Sequence, residues 1–309
     1  MDVLEFRRGA RSHTRRLSLL LGVGGLALGM LAANATGAAA DQRASCSGSF
    51  QSPGVLAGTY SSNVTVAGVC AVNAGPALIK GNLTLSPGAA VVAAFGLNDH
   101  TASGSSSLTV KGNLKVQQGA ALLLGCDPQS FPCVDDPNPE QPTLSSPGAV
   151  SGNLSEQQPL GVVVHDSTIG GNVQETGGGG GLTCEPSGAF AAFGSPVYSD
   201  YEDSTVKGNL DVIGLTSCWL GVARVHVGGS LDMLHDQLAD PDAIEIISNA
   251  ISGNLLCQQN SQVWDSADQS ENGLYPRLAE PNSVGGHRVG QCVLASPATE
   301  GGPSGPGPF

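Results

Sequence analysis

Charged and aromatic residues are scarce in this chain of 309 residues: 13% are Asp, Glu, Lys or Arg, and 4% are Phe, Trp or Tyr. That scarcity argues against a helical enzyme and, together with 44 Gly and 19 Pro, for a loop-rich β protein. No Cys-x-x-Cys occurs. The intervals between successive cysteines (24, 56, 7, 51, 34, 39 and 35 residues) scatter ligands too widely for a zinc motif. No Ser or Cys stands in a nucleophile-elbow context. Basic residues are also few, 13 against 26 acidic, so the surface repels phosphates and anionic headgroups, and nucleic acid is excluded as a partner. Disorder does not follow from the Gly and Pro content, because the 40% hydrophobic residues fall in periodic phrases that can bury a core.

What is present begins with an export signal over residues 1–40. Arg7, Arg8, Arg11, Arg15 and Arg16 precede an uncharged, mostly apolar run from Leu17 to Ala33, and Ala38-Ala39-Ala40 gives a small-x-small cleavage pattern before Asp41. A retained membrane anchor is the alternative reading, in which case the chain meets a membrane through this segment alone. Thr14-Arg15-Arg16 hints at twin-arginine export, against which Ser18 stands where an apolar residue is expected. Five basic and two acidic residues lie in the segment, leaving 8 and 24, a balance near −16 for the remainder. All eight cysteines lie beyond it, an even number that argues for disulfides and an oxidising, extracellular compartment.

The organising feature is a phrase first complete at Ile79-Lys80-Gly81-Asn82-Leu83-Thr84-Leu85 and repeated at Val110–Val116 and Val206–Val212. Apolar residues of one parity and polar residues of the other make it read as a half-buried strand. The Asn of each copy, or its equivalent, falls at Asn63, Asn82, Asn113, Asn153, Asn172, Asn209, Ser230, Asn254 and His287, in steps of 19, 31, 40, 19, 37, 21, 24 and 33. The short steps match one solenoid coil; the long ones hold a coil plus a loop, or two coils. The expected fold is therefore an all-β, single-stranded parallel β-helix with coils of about 20 residues over residues 41–295, loop insertions and disulfide-stapled ends, followed by a Pro/Gly-rich disordered tail at 296–309.

Within the phrase, the Gly shares parity with the buried residues and is expected to face inward where chains approach closely. The Asn is expected to tolerate a left-handed conformation and to bond to its equivalents one coil away. A hairpin turn at Gly-Asn is the alternative. The loops are read at Leu97–Ser107, at Cys126–Pro142, and in a third excursion made of Gly177–Gly181 and the acidic stretch Tyr198–Asp203. They are expected to project from one or two corners of the stack.

Repeated Val/Ile-x-Gly-Asn-Leu/Val units, a Cys pair around the first strands, and the ending Gly253-Asn254-Leu255-Leu256-Cys257, Val284-Gly285-Gly286-His287, Gly290-Gln291-Cys292 resemble exported β-helix-like Gly-Asn-Leu repeat proteins of high-GC Gram-positive bacteria. The resemblance covers about residues 46–292 and departs at His287, where Asn is usual, and in the long inserts. It implies fold and export but no reaction. A more distant resemblance is to bactofilins, polymerising β-helices without export signals or cysteine pairs.

Two functional classes fit: a secreted or cell-surface structural or binding protein, and a carbohydrate-active lyase or hydrolase. Glycosidases need paired carboxylates and lyases a base with calcium, so the candidates are Asp135, Asp136 and Glu140; Asp200, Glu202 and Asp203; and Asp240, Asp242 and Glu245. All three groups read as solvated loops. His165-Asp166, and Arg224 with His226 and His235, read as outward strand residues, and Trp219 and Trp264 as packing over disulfides or cap edges rather than as sugar platforms. Lys80, Lys111 and Lys207 form a single-sign outward column. The non-catalytic class is preferred, with no cofactor, no metal and no catalytic residue assigned. An envelope polysaccharide or surface protein is the expected partner, and a monomer or small oligomer the expected state.

Coil arithmetic also selects the disulfides, because a solenoid joins residues only within a coil or between neighbours. Cys46 and Cys70 flank the first strand, Cys126 and Cys133 bracket one loop, Cys257 and Cys292 staple the last coil, and Cys184 and Cys218 remain.

Overall fold

A computed structural model describes residues 44–99, 101, 104–138, 140–240, 244–261, 263–264 and 282–293. Residues 1–40, read from the sequence as an export signal, residues 296–309, read as a tail, and Asp242 lie outside the described residues. One chain winds alone into a parallel β-helix whose coils each contribute three short strands, one to each side of a prism, and two coils add a fourth, Thr216–Ser217 and Gln237–Leu238, which pair with each other. Among the described residues these build three parallel sheets: sheet I of ten strands, sheet II of nine and sheet III of nine. A coil runs, for example, from Leu114–Val116 in sheet I to Ala121–Leu124 in sheet II and Gly148–Val150 in sheet III. Nine such coils follow one another, and Arg288–Gly290 opens a tenth.

The repeated phrase is thus two strands and the corner between them. In the first complete copy, Ala77–Ile79 ends in sheet III, Leu83–Leu85 begins sheet I, and Lys80-Gly81-Asn82 turns the corner. The parity survives because the corner is tight enough to keep Ile79, Leu83 and Leu85 in the lumen, all fully buried. The turn is no hairpin, since every ladder in the three sheets is parallel. The corner glycine is only part-buried, and close approach operates along the stack: a Cβ on Gly112 would meet the Gly81 carbonyl oxygen at 2.7 Å. Stacked glycines donate N–H to carbonyl, Gly112 to Gly81 at 2.9 Å and Gly152 to Gly112 at 3.0 Å, so no side chain fits between.

None of the corner asparagines has a positive φ. The left-handed residues lie instead at the other two corners, with Gln158, His235 and Gln259 between sheets I and II, and Asp166, Asp203, Arg224 and Ser248 between sheets II and III. The Asn row works through its side chains. Each Oδ1 accepts the backbone N–H of the equivalent residue one coil on, from Asn82 N–H to Asn63 at 2.8 Å through to His287 N–H on Asn254 at 2.8 Å; Ser230 takes its turn through Oγ. The other corners carry shorter rows of the opposite sense. Asp236 accepts from Leu215 N–H and Asn260 from Asp236 N–H, while Asn249 accepts from Val225 N–H and Asn282 from Asn249 N–H.

Sheets I and III alternate buried with more exposed residues, as in Leu-Lys-Val at 114–116 of sheet I and Leu-Thr-Val at 108–110 of sheet III. Sheet II does not: Ala90–Ala93, Ala121–Leu124 and Gly161–His165 are buried at every position. The cause is the inserts. Those at 94–107 and 125–147 leave the corner between sheets II and III, and that at 177–197 leaves the corner between sheets I and II. They fold back over the outer face of sheet II and make a second core, in which Val92, Leu123 and Val163 pack with Phe131, Leu144, Phe190 and Phe193. A strand buried on both sides loses its alternation. Tyr198–Asp203 is correspondingly no excursion, because Tyr198–Glu202 is a strand of sheet II paired with Trp219–Ala223.

Four disulfides close the stack: Cys46–Cys70, Cys126–Cys133, Cys184–Cys218 and Cys257–Cys292. The first and last tie inward-facing cysteines at the two ends of the lumen, where coils fray first, and closing loops of 24 and 35 residues contributes on the order of 2–4 kcal/mol each. Such a disulfide content fits an extracellular protein. No helix among the described residues is long and apolar enough to cross a membrane.

Candidate functional site

The ionisable residues converge on both sides of the strand Tyr198–Glu202, whose alternate side chains point into the lumen (Ser199, Tyr201) and out beneath the inserts (Asp200, Glu202). The outer cluster is assembled from four successive coils. His165 ends the strand Gly161–His165; Asp200 and Glu202 lie on the next rung; Arg224 follows Trp219–Ala223 on the rung after that; and Asp127, Ser130 and Phe131 come from the 125–147 insert above them.

His165 is 1% exposed, and Asp200 and Glu202 are 2% exposed. Phe131 stacks on the imidazole with ring centroids 4.6 Å apart and planes 21° apart. His165 Nε2 lies 3.1 Å from Asp200 Oδ2, while Nδ1 lies 3.7 Å from Glu202 Oε2, 3.9 Å from Asp127 Oδ2 and 3.5 Å from Ser130 Oγ. Arg224 grips Asp203 with two hydrogen bonds, Nε to Oδ1 at 2.7 Å and Nη2 to Oδ2 at 2.9 Å, and also pairs with Glu202. The Ser130 hydroxyl stands 2.7 Å from Asp203 Oδ2 and 2.8 Å from Asp127 Oδ2, tying the insert to the sheet.

Burial sets the protonation here. It pushes the Asp200 carboxyl up to about 8, and it raises Glu202 well above the usual carboxylate range with help from the Asp200 charge. Burial also lowers the His165 imidazole, against the pull of Glu202, Asp127 and Asp203. In Asp203 burial works upward, but the hydrogen bonds and charge of Arg224 outweigh it and hold the group below its ordinary value.

The lumen cluster joins two carboxyls to a phenol and a hydroxyl. Glu156 and Glu175 occupy adjacent rungs of the inward column of sheet I that is Leu85 and Val116 before them and Val212 and Met233 after, and both are fully buried. Tyr201 Oη lies 2.7 Å from Glu156 Oε2 and 2.9 Å from Glu175 Oε2, and Ser199 Oγ donates to Glu175 Oε1 at 2.6 Å. A phenol has one proton to give, so two carboxyl contacts require that one carboxyl keep its own proton and donate it to the phenol oxygen. Burial accordingly raises Glu156 well above the usual range, with the Glu175 charge adding to it, and raises Glu175 to about 7.

The remaining candidates are dispersed. Asp135 accepts N–H groups of Gly96 and Leu97, both at 2.7 Å, and Asp136 accepts those of Asn138, Thr143 and Leu144, so both hold inserts in shape, while Glu140 is exposed. Asp240 is buried and accepts the Trp219 indole N–H at 3.1 Å, and Glu245 is buried on the outer face of sheet II. Trp219 is 7% exposed and packs against Tyr198. His226, His235, Lys80, Lys111 and Lys207 are exposed. The side chain of Trp264 lies outside the described residues. Glu156 and Glu175 were not among the candidates, although a Glu at a position that is Leu or Val in neighbouring repeats was a visible signal.

No family model matches the chain, and no curated protein or solved structure matches it.

Proposed function

We propose that the protein is secreted or displayed at the cell surface and serves there as a non-catalytic structural or binding element, of the exported Gly-Asn-Leu repeat kind that it resembles. The observation that carries this reading is the placement of its ionisable groups. The carboxyls and imidazole with the chemistry for acid–base work are sealed between sheet II and the inserts or inside the lumen, whereas a polymer-cleaving site must open to a long substrate. The open faces carry Thr, Lys, Ser, Gln and Asp in register on sheet I, repeated at the coil spacing of ~4.8 Å. A shallow groove across that face is lined by Gln117, Gln157, Gln158, Gln174 and Ser155. Amides and hydroxyls in rows suit an extended, polyhydroxylated chain, so an envelope polysaccharide is the partner class.

Co-sedimentation of the mature protein with purified envelope polysaccharide tests this. The expected result is saturable transfer to the pellet without new reducing ends or unsaturated products. Release of such products would establish an enzyme instead, and a protein left in the supernatant throughout would overturn the polysaccharide partner.

A further inference from the structure

We infer that the centre beneath the Cys126–Cys133 loop is a metal site, in which His165, Asp200 and Glu202 hold a divalent transition-metal ion, zinc first. One ligand atom from each of the three lies within 4.8 Å of the others. His165 Nε2 and Asp200 Oδ2 already stand at 3.1 Å. Ligand atoms bound to zinc at ~2.0–2.2 Å sit roughly 3.4 Å from one another in a tetrahedron, so closing the set around an ion asks for side-chain adjustment and no strand movement.

Three further observations point to a cation. Asp200 Oδ1 is buried and has no hydrogen-bond partner, although its carboxyl sits within the cluster. Four carboxyl groups, those of Asp127, Asp200, Glu202 and Asp203, share the centre with a single guanidinium, Arg224, which is already committed to Glu202 and Asp203. Buried negative charge in such excess needs protons or a cation. The imidazole has a carboxyl at each nitrogen, Asp200 at 3.1 Å from Nε2 and Glu202 and Asp127 at 3.7 and 3.9 Å from Nδ1, so whichever nitrogen takes the ion, a carboxylate stands at the other to fix the tautomer.

The identity of the ion follows from the donors. An imidazole with two carboxylates suits zinc and its first-row neighbours, whereas calcium and magnesium take oxygen alone. The ligands stand on adjacent rungs of one sheet, and Phe131 stacks on the ring, so the site is held ready for the ion. The other close grouping, Cys184, Cys218 and Asp240, holds no ion because its sulfurs are joined as a disulfide.

The full mature chain, refolded with zinc and dialysed, is expected to carry about one zinc per chain by elemental analysis, and cobalt in its place to give a visible ligand-field absorption band. Asp200→Asn and His165→Gln, each close in size to the native residue, are expected to weaken zinc binding by about tenfold or more and to abolish the cobalt band. Wild-type protein that retains neither zinc nor cobalt overturns the inference, whether or not the variants fold. Full zinc binding in both variants, with circular dichroism showing them folded, places the metal elsewhere and overturns it too.

Discussion

Within the lumen, Glu156 and Glu175 lie side by side on adjacent rungs, with a phenol and a hydroxyl as partners; on the opposite side of the Tyr198–Glu202 strand, Asp200 and Glu202 lie beside an imidazole and a guanidinium. Both pairs are buried, and water reaches neither. Among the described residues no basic side chain pairs with the lumen carboxyls, and burial raises both so that protons neutralise them. The outer cluster lies at a corner where a long side chain from the next coil can reach in, and Arg224 compensates the Asp203 charge there, while burial raises Asp200 and Glu202 as it raises the lumen pair. The same five-residue strand thus borders a region run on protons alone and a region in which protons and one guanidinium divide the task.

Replacing Arg224 tests the contrast most severely. Arg224→Met leaves Glu202 and Asp203 without their cation and is expected to cost about 3–5 kcal/mol by urea denaturation. A cost below about 1 kcal/mol would mean that protons suffice in the outer cluster too, and the two regions would then work alike.

A rise in pH from acid to neutral should unsettle the lumen. A carboxyl whose folded value is raised gives stability that is full below its unfolded value and is lost as pH climbs through the folded one, here between about 4.5 and about 7 for Glu175. At ~1.36 kcal/mol per unit this one group is worth about 3 kcal/mol across that window. Glu175→Gln removes the titration while keeping hydrogen-bonding capacity, so the fall in melting temperature from pH 5 to pH 8 should shrink in the variant. An unchanged slope would assign the loss to the general acidity of the chain.

The smallest effect belongs to the part-exposed Asn row. Asn113→Ala removes the acceptor of Asn153 N–H, which water can replace, and is expected to cost about 1 kcal/mol. A loss equal to that in Arg224→Met would show that the corner row outweighs the buried clusters.

The sequence showed the solenoid, its coil length and the Asn row because each depends on residues that recur. The Gly-Asn corner is legible since every copy faces the same problem, the backbone of its predecessor. It misled as to conformation: a repeated Asn suggests a left-handed turn, yet these residues serve as side-chain acceptors, and a positive φ falls on Asp166, Asp203 and Arg224, whose identities differ from coil to coil. The second core was hidden although Leu122-Leu123-Leu124 and Val162-Val163-Val164 declare strands covered on both sides. Tyr198–Asp203 was unreadable for a deeper reason. Acidic residues and tyrosines read as loop unless their partners are known, and those partners, His165, Arg224, Glu156 and Glu175, lie 21 to 45 residues away.

A stack of coils behaves as a one-dimensional lattice, in which each unit feels its neighbours and a fault between two units can sit anywhere. The Asn rungs fit that picture, with links of 19 to 40 residues from one coil to the next. The contact between Ser130 and Asp203 does not, for it spans 73 residues and passes over the coil that carries His165. It is a next-nearest-neighbour coupling, and it lengthens the distance over which order in one coil imposes order on another. Separating coils inside this block has to break that contact as well as the ladders between neighbours, so the block is expected to open after the coils outside it.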